Sequence, residues 1–365
     1  MGGGASAFED DPIGVWCNPA GMATQQTGAS FETQTYIVYR RNDAAAPPTH
    51  FSGDTGFNDP ALVPSTVGAV IQVGTVERPQ AIGIAFVSPV LLRMAFDAAD
   101  DPSSPNTWTT SQRFSRFRLA YARDFKFRAA GEEGLFPHLS IGLGMDLGMT
   151  TMRMEDPFID QDRRGSKSEF GAGFGFLLCA FDNTRNLKVN LGAAYQTSIS
   201  FDLVMPVTST DRNAPTLNWP DQIQLGALVY LLEGLPLKIS AEVQFIDWKN
   251  ACPPSDVPGV DRFTRSTVAS VGGEYRIALS PSTVLYPRVG VRFFDAPWRS
   301  RDKADLPGVG EWQLRITTHA ERFTVFCAGI GLSLLGQGGG ATTVNVAVEF
   351  GEDAPSVSLG VVVVF

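Results

Sequence analysis

Apolar residues recur at every second position through one segment after another of this chain, and that alternation limits the folds open to it. In 136–153, Leu139, Ile141, Leu143, Met145, Leu147 and Met149 share one face. His138, Ser140, Gly142, Gly144, Asp146 and Gly148 share the other. A two-residue period puts successive side chains on opposite faces of an extended strand. In 186–203, Leu187, Val189, Leu191, Ala193 and Tyr195 oppose Lys188, Asn190, Gly192, Ala194 and Gln196. In 235–249, Leu237, Ile239, Ala241, Val243 and Phe245 oppose Lys238, Ser240, Glu242 and Gln244. The segment 341–351 sets Val344, Val346, Val348 and Phe350 against Asn345, Ala347 and Glu349. Helical periodicity is nearly absent, and clusters of Gly, Pro, Asp and Asn separate the segments. The pattern predicts strands at 27–41, 65–76, 80–97, 108–128, 136–153, 166–181, 186–203, 219–232, 235–249, 262–279, 282–296, 313–334, 341–351 and 355–365.

A soluble sandwich alternates in the same way with its apolar face inward, so the pattern alone leaves the environment open. Three features point to a transmembrane antiparallel β-barrel of about fourteen strands. Many segments are longer than the usual five or six residues of a globular sheet and suit tilted spans that continue beyond a bilayer. Tight turns (Glu233-Gly234, Leu279-Ser280-Pro281, Asp182-Asn183-Thr184-Arg185) alternate with longer polar stretches at 42–64, 98–107, 154–165, 204–218, 250–261 and 297–312. Such asymmetry is usual in outer-membrane barrels. Finally, Val357, Leu359, Val361 and Val363 lead to Phe365, and a terminal aromatic after alternating hydrophobics resembles the signal read by the barrel-assembly machinery. No linker divides the chain, which reads as one domain over 1–365, with 27–365 as barrel.

Composition removes other classes. No uninterrupted apolar run approaches the roughly 18 residues of a spanning helix, which excludes a helical membrane protein. Charged residues make up 18% of the chain, below the roughly 25% of soluble domains. The net charge of −9 argues against a nucleic-acid partner. Met1-Gly2-Gly3-Gly4 has neither the basic start nor the apolar core of a signal peptide, so an exported chain of this sequence is expected to be a processed form. Cys17, Cys179, Cys252 and Cys327 show no CxxC spacing, and whether they pair is not legible from the sequence.

Nothing in the sequence spells out catalysis or a cofactor. His50, His138 and His319 are too scattered for a metal site, and no GxSxG, P-loop or HExxH is present. Gly142-Leu143-Gly144 and Gly171-Ala172-Gly173-Phe174-Gly175 lack the strand–loop–helix context of a nucleotide loop. Their glycines fall on one face of a strand opposite Phe and Leu, where they would make room in a crowded lumen. Asp156, Asp160 and Asp162 form an acidic stretch, read as a solvated loop because no EF-hand glycine and glutamate follow.

Three features bear on function. Arg116 and Arg118 share a face opposite Phe117 and Leu119, and Arg288 and Arg292 oppose Val289, Val291 and Phe293. An arginine facing lipid near the midplane costs about 2–4 kcal/mol, so these four should point inward toward Glu242, Asp146, Glu274 or Glu349. They can serve as a lumenal ion-pair network or as a clamp for a ligand carboxylate, since guanidinium offers paired donors. Pro89 interrupts an otherwise regular strand after Phe86-Val87-Ser88, which means either a turn or a bulge. Before the first strand lies a turn-rich segment, 1–26, with Asn18-Pro19-Ala20-Gly21 at its heart. Phe8 and Trp16 give it apolar anchors, and Glu9, Asp10 and Asp11 give it charge. It suits a plug inside a barrel or a loop on a surface.

The small residues, the acidic pair and Asn18-Pro19-Ala20-Gly21 resemble the N-terminus of the FadL/TodX family of outer-membrane transporters for hydrophobic compounds. Trp219-Pro220-Asp221-Gln222-Ile223-Gln224-Leu225-Gly226, Val243-Gln244-Phe245-Ile246-Asp247-Trp248, Arg288-Val289-Gly290-Val291 with Ala296-Pro297, and Glu321-Arg322-Phe323-Thr324-Val325 extend the resemblance over most of the chain. The resemblance implies a fourteen-stranded barrel in the outer membrane of a Gram-negative-type bacterium, with a hatch in its lumen at Asn18, Pro19, Ala20 and Gly21. It implies a third strand kinked inward at Phe86, Ser88 and Pro89, opening the wall sideways. The expected function is passive transport of hydrophobic or amphipathic small molecules, fatty-acid-like or aromatic, with membrane lipid and lipopolysaccharide as neighbours and no enzymatic activity. The alternative is a non-transporting barrel of the same family, such as the shuttle protein of type nine secretion, which holds protein partners through long loops.

Overall fold

The computed structural model describes residues 6–7, 11–36, 64–97, 107–127, 134–156, 161–183, 186–201, 205–207, 212–214, 218–231, 236–248, 265–295, 322–336, 340–350 and 356–365. The alternating segments form strands almost everywhere the pattern places them. The first seven are β1 (Gly28–Tyr36), β2 (Pro64–Gln72), β3 (Gln80–Asp97), β4 (Thr107–Lys126), β5 (Gly134–Asp156), β6 (Gln161–Asn183) and β7 (Leu187–Gln196). A separate small hairpin, β8 (Met205–Val207) with β9 (Arg212–Ala214), follows. The remaining strands are β10 (Asp221–Leu231), β11 (Leu237–Asp247), β12 (Arg265–Tyr275), β13 (Ile277–Ser280), β14 (Thr283–Asp295), β15 (Arg322–Leu335), β16 (Ala341–Phe350) and β17 (Ser356–Val364). β13 carries β12 onward after a break at Arg276, and both pair with β14. The wall therefore counts fourteen strands, each antiparallel to its neighbours.

Closure comes from the two ends of the chain. β1 pairs with β17 in unbroken register from Gly28↔Val364 to Tyr36↔Ser356. The ring leaves no open edge, the requirement for a sheet that meets hydrocarbon. Its two faces are as the alternation predicts. On β5, Leu143 is 52% and Met145 59% exposed, while Ser140 and Asp146 on the other face are fully buried. Phe174, Phe176, Leu191, Leu225 and Val271 continue the outward apolar surface around the cylinder. The Leu139–Met149 row faces outward and does not stack on a second sheet. Among the described residues no helix is long and apolar enough to cross a membrane.

The structure corrects the strand reading in three places, the first being the β8–β9 hairpin inside 204–218, which was expected as a loop. The stretch expected as a loop at 154–165 is mostly ladder, because β5 and β6 stay in register up to Asp156↔Gln161. The change to polar residues there marks the end of the apolar belt, not the end of the hydrogen bonding. Conversely, the strand expected over 186–203 ends at Gln196. The chain then turns inward, held by an Asp221 carboxylate on the Ser198 N–H at 2.7 Å and by an Ile199↔Trp219 bridge. Ile199 and Phe201 are buried in the lumen; their continued alternation disguised the turn. The stretches 42–63, 98–106, 250–261 and 297–312 lie outside the described residues, as do Glu233-Gly234, Thr184-Arg185 and the 313–321 part of a predicted strand.

The two-faced wall sets a direct test. Leu143→Arg places a cation on the outer face, and folding into lipid vesicles should weaken by about 2–4 kcal/mol if the site lies near mid-bilayer. Urea titration in vesicles measures it, with Ser140→Ala as the lumenal comparison.

Candidate functional site

The N-terminal segment lies inside the cylinder. Its core is a single helical turn, α1 (Gly14–Cys17), followed by a 3₁₀ turn over Pro19–Thr24. Asn18 sits between them, fully buried. Its Oδ1 accepts from the Ala20 N–H at 3.1 Å, capping the 3₁₀ turn, with Pro19 at a position where a missing N–H costs nothing. Its Nδ2 donates to the Ser6 carbonyl at 2.6 Å and to the Phe176 carbonyl of β6 at 2.9 Å. One amide thus caps the hatch, ties it to the preceding turn and fastens it to the wall. Gly21 returns its N–H to the Asn18 carbonyl at 3.1 Å.

Glycines make this fit. A Cβ on Gly142 or Gly175 would collide with Pro19, Ala20 or Asn18, and one on Gly192 would meet Ser6 and Ala7. Of the glycines read from sequence as space-makers in the lumen, Gly142 and Gly175 seat the hatch, Gly144 and Gly173 admit Arg118, and Gly171 admits Ile199. Val15, Met22 and Ala23 pack on Val70, Ala81, Ala85, Ala120 and Ala122 of β2, β3 and β4. Polar wall side chains capture hatch carbonyls. Gln72 Nε2 donates to the Met22 oxygen at 2.7 Å, and Gln196 Nε2 to the Trp16 oxygen at 3.0 Å. Glu242 of β11 accepts the Ser6 N–H at 2.7 Å. Burial, followed by the Glu242 and Asp11 carboxylates, pushes the Cys17 thiol well above its usual range, so it stays a neutral packing group. Phe8, Glu9 and Asp10 lie outside the described residues.

Above the hatch two guanidiniums share one carboxylate. Arg118 of β4 donates from Nε to Asp146 Oδ1 at 2.6 Å and from Nη2 to Oδ2 at 2.9 Å. Arg116 also donates to Asp146 Oδ2. All three side chains are fully buried. Arg118 additionally donates from Nη1 to the Trp16 carbonyl at 2.6 Å, so the pair grips the hatch directly. The Trp16 ring lies between the cations, 5.2 Å from Arg116 Cζ and 4.9 Å from Arg118 Cζ. Trp219 lies 5.4 Å from Arg116 Cζ and meets Trp16 edge-on. Phe114, Ile199 and Phe201 close the group. Sequence reading placed Arg116, Arg118 and Asp146 here. It put Gln196 on the inward face of its strand without a role, and it missed Trp219 and Phe201, which the inward turn after Gln196 brings to the lumen.

The other arginines have partners of their own. Arg288 donates to Glu274 at 2.6 Å and to Asn345 Oδ1 at 2.6 Å, and Lys238 lies 3.2 Å from Glu274. Arg292 meets Glu349 at 3.1 Å. These pairs form a polar column on the β11–β16 side, away from the wall that the hatch covers. Asp156 and Asp162 fall on strands, which corrects their reading as a loop; Asp160, His50, His319, Cys252, Ala296-Pro297 and Glu321 lie outside the described residues. Cys17, Cys179 and Cys327 are free thiols. Among the described residues no group of three His, Cys, Asp or Glu is placed to hold a metal.

The wall is irregular near Pro89. β3 pairs with β4 on both sides of it, but the register shifts between Val87↔Arg116 and Val90↔Phe114, so β3 carries one extra residue there. Pairing with β2 stops at Thr66↔Val87. Beyond that point β3 has no β2 partner among the described residues. Ser88 lies on the outer face with Ser115 and Arg113, which donate to its Oγ at 3.2 and 3.3 Å. Phe86, on the same face as Ile82 and Ile84, is the last outward residue before the bulge.

No protein-family model matches this chain, and no curated protein matches it in sequence. Its fold, however, is shared with solved structures. The toluene transporter TbuX of Ralstonia pickettii superposes with a TM-score of 0.59 at 14% identity, over 100% of this chain and 95% of TbuX. A FadL homologue from Pseudomonas aeruginosa gives 0.55 at 15% identity, over 99% and 94%. The toluene transporter TodX of Pseudomonas putida gives 0.53 at 13% identity, over 100% and 95%. The chain has a FadL/TodX-like fold.

Asp146 holds the arginine that grips the Trp16 carbonyl of the hatch. Asp146→Asn leaves two buried guanidiniums without a counter-charge and should cost about 3–5 kcal/mol. Denaturant titration of the refolded barrel checks this, and ion leakage through planar bilayers should rise as the Arg118 grip on Trp16 loosens.

Proposed function

We propose that this chain is an outer-membrane passive transporter for hydrophobic or amphipathic small molecules, with the N-terminal segment as its gate. The observation that carries the reading is the hatch. A folded plug held by Asn18, Arg118, Gln72, Gln196 and Glu242 blocks an aqueous pore yet rests on contacts that can be exchanged without breaking the wall. A blocked bore gives nothing to a polar solute that diffuses through water, but it gives a greasy cargo a dry surface to bind. Cargo enters at the extracellular end, meets the aromatic group around Trp219, and moves on when the segment around Asn18–Gly21 shifts.

The bulge at Ser88–Pro89 supports a sideways exit. Proline removes a ladder donor and the extra residue bends the strand, so the β3–β4 ladder is locally disrupted there. The shared fold with transporters of toluene supports the same reading, and the outer membrane is the compartment in which such a barrel works.

The gate is open to direct test. Asn18→Ala with Pro19→Ala removes the cap and the wall tie while sparing every barrel strand. Uptake of a hydrophobic probe into proteoliposomes should change several-fold, with heat-modifiable gel mobility retained. Unaltered uptake of toluene, naphthalene and a long-chain fatty acid in this variant counts against the hatch as gate.

A further inference from the structure

On the outer face of β4 two arginines bracket an uncharged stretch. Between Arg113 and Arg123 that face carries Ser115, Phe117, Leu119 and Tyr121. At about 3.3 Å per residue and a strand tilt of about 40°, the stretch rises about 25 Å, the height of the apolar band of a membrane barrel. Arg123 therefore lies at one edge of that band. It is the edge where β1 and β17 meet at Gly28↔Val364, and where the connections 73–79 and 281–282 are short. The long connections 37–63 and 296–321 lie at the other end. In an outer-membrane barrel the short turns face the periplasm.

Around Arg123 this outer face offers donors. The guanidinium stands over the Phe125 ring, with Cζ 5.1 Å from the centroid, and makes no ion pair. Directly across the ladder is Gln80 of β3. Its Oε1 accepts the Tyr121 hydroxyl at 2.7 Å, which leaves the amide N–H groups to face a ligand. Arg78, two residues before Gln80, is exposed on the turn between β2 and β3 and has no ion-pair partner either. The turn is pinned beside β4. Lys126 donates to the Val76 carbonyl, the Asp124 N–H to the Pro79 carbonyl at 3.0 Å, and the Arg78 N–H to the Thr75 carbonyl at 3.0 Å. Asp124 itself is buried, its carboxylate held by His138 and Ser140, and Glu77 on the turn pairs with neither arginine. From this donor group an apolar track runs up the wall, with Ile82 beside Tyr121 and Ile84 beside Leu119, while Val73, Val76 and Phe127 are exposed at its foot. We infer that Arg123, Arg78 and Gln80 form a site for the phosphate of an anionic glycerophospholipid in the periplasmic leaflet. Its oxygens take charge-assisted bonds from the two guanidiniums, and its acyl chains lie along Ile82, Ile84 and Leu119. A zwitterionic headgroup fits less well, because its ammonium would meet two cations and no free carboxylate but Glu77.

The inference rests on the placement of the barrel in an outer membrane and not on the hatch as gate, so the two stand or fall apart. In the test, the full-length barrel in a neutral detergent is mixed with equal amounts of dioleoylphosphatidylglycerol and dioleoylphosphatidylcholine. Native mass spectrometry then measures how much of each lipid it retains. The glycerol lipid should be retained several-fold over the choline lipid. The double variant Arg78→Gln with Arg123→Gln should bring the ratio close to one, and Gln80→Leu should lower it. Arg113→Gln, which removes the same charge from the opposite edge of the same face, should leave it unchanged. Equal retention by the unaltered protein overturns the inference, as does a preference that survives the double variant. An equal loss in Arg113→Gln also overturns it, since net charge alone would then account for the preference. So does displacement of the bound lipid by a molar excess of sn-glycerol 3-phosphate, which would make this a site for free phosphate. If the double variant does not fold, as judged by heat-modifiable gel mobility, Arg78→Gln on the exposed turn decides in its place.

Discussion

A backbone that meets hydrocarbon has no water to fall back on, so every N–H and C=O must find a partner in the protein. In this chain the pairing of β1 with β17 discharges that requirement for the two edges that would otherwise remain. The rest of the architecture follows from the closed ring. Because the ring has an inside, alternate residues acquire opposite environments, and the polar face of each strand becomes a lumen. Because the lumen is wider than its own side chains can fill, it has room for a plug.

That plug is an unusual piece of packing. Its short turns pair N–H groups locally, from Gly14 onto the Asp11 carbonyl to Gln25 onto the Met22 carbonyl. The wall holds it through Gln72, Gln196, Arg118 and Glu242, and its own Asn18 reaches the Phe176 carbonyl. Each of these contacts is a hydrogen bond to a carbonyl or an amide, worth about 0.5–1.5 kcal/mol net when neutral and more when charged. They can be exchanged singly, in contrast to the ring, whose ladders stand or fall together. A rigid frame around a plug held by separable ties is a physical basis for gating.

The lumen is divided between two chemistries. On the β2–β7 side glycines and alanines admit the hatch, and the Arg116–Asp146–Arg118 group sits above it. On the β11–β16 side Lys238 and Arg288 share Glu274, Asn345 accepts from Arg288, and Arg292 meets Glu349. The bulge in β3 lies next to the hatch side, since Val87 is opposite Arg116 on β4. Hatch, arginine pair and bulge are neighbours on adjoining strands.

The alternation alone determined the strands, their number and the faces they present, because a period of two leaves a strand no freedom in where it points its side chains. It also placed Arg116, Arg118, Arg288 and Arg292 inward, since the cost of an arginine in lipid forbids the other face. The Asn18-Pro19-Ala20-Gly21 turn was legible as a break in that pattern. What the sequence could not decide was which inward groups meet. The arrival of Trp219 and Phe201 beside Arg116 depends on the inward turn after Gln196, where the alternation continues unchanged, whereas Arg116 and Arg118 share Asp146 across the adjacent strands β4 and β5. Periodicity is a property of neighbours along a strand, while the ties to the hatch join segments as distant in the chain as Ser6 and Glu242, which closure of the ring brings together.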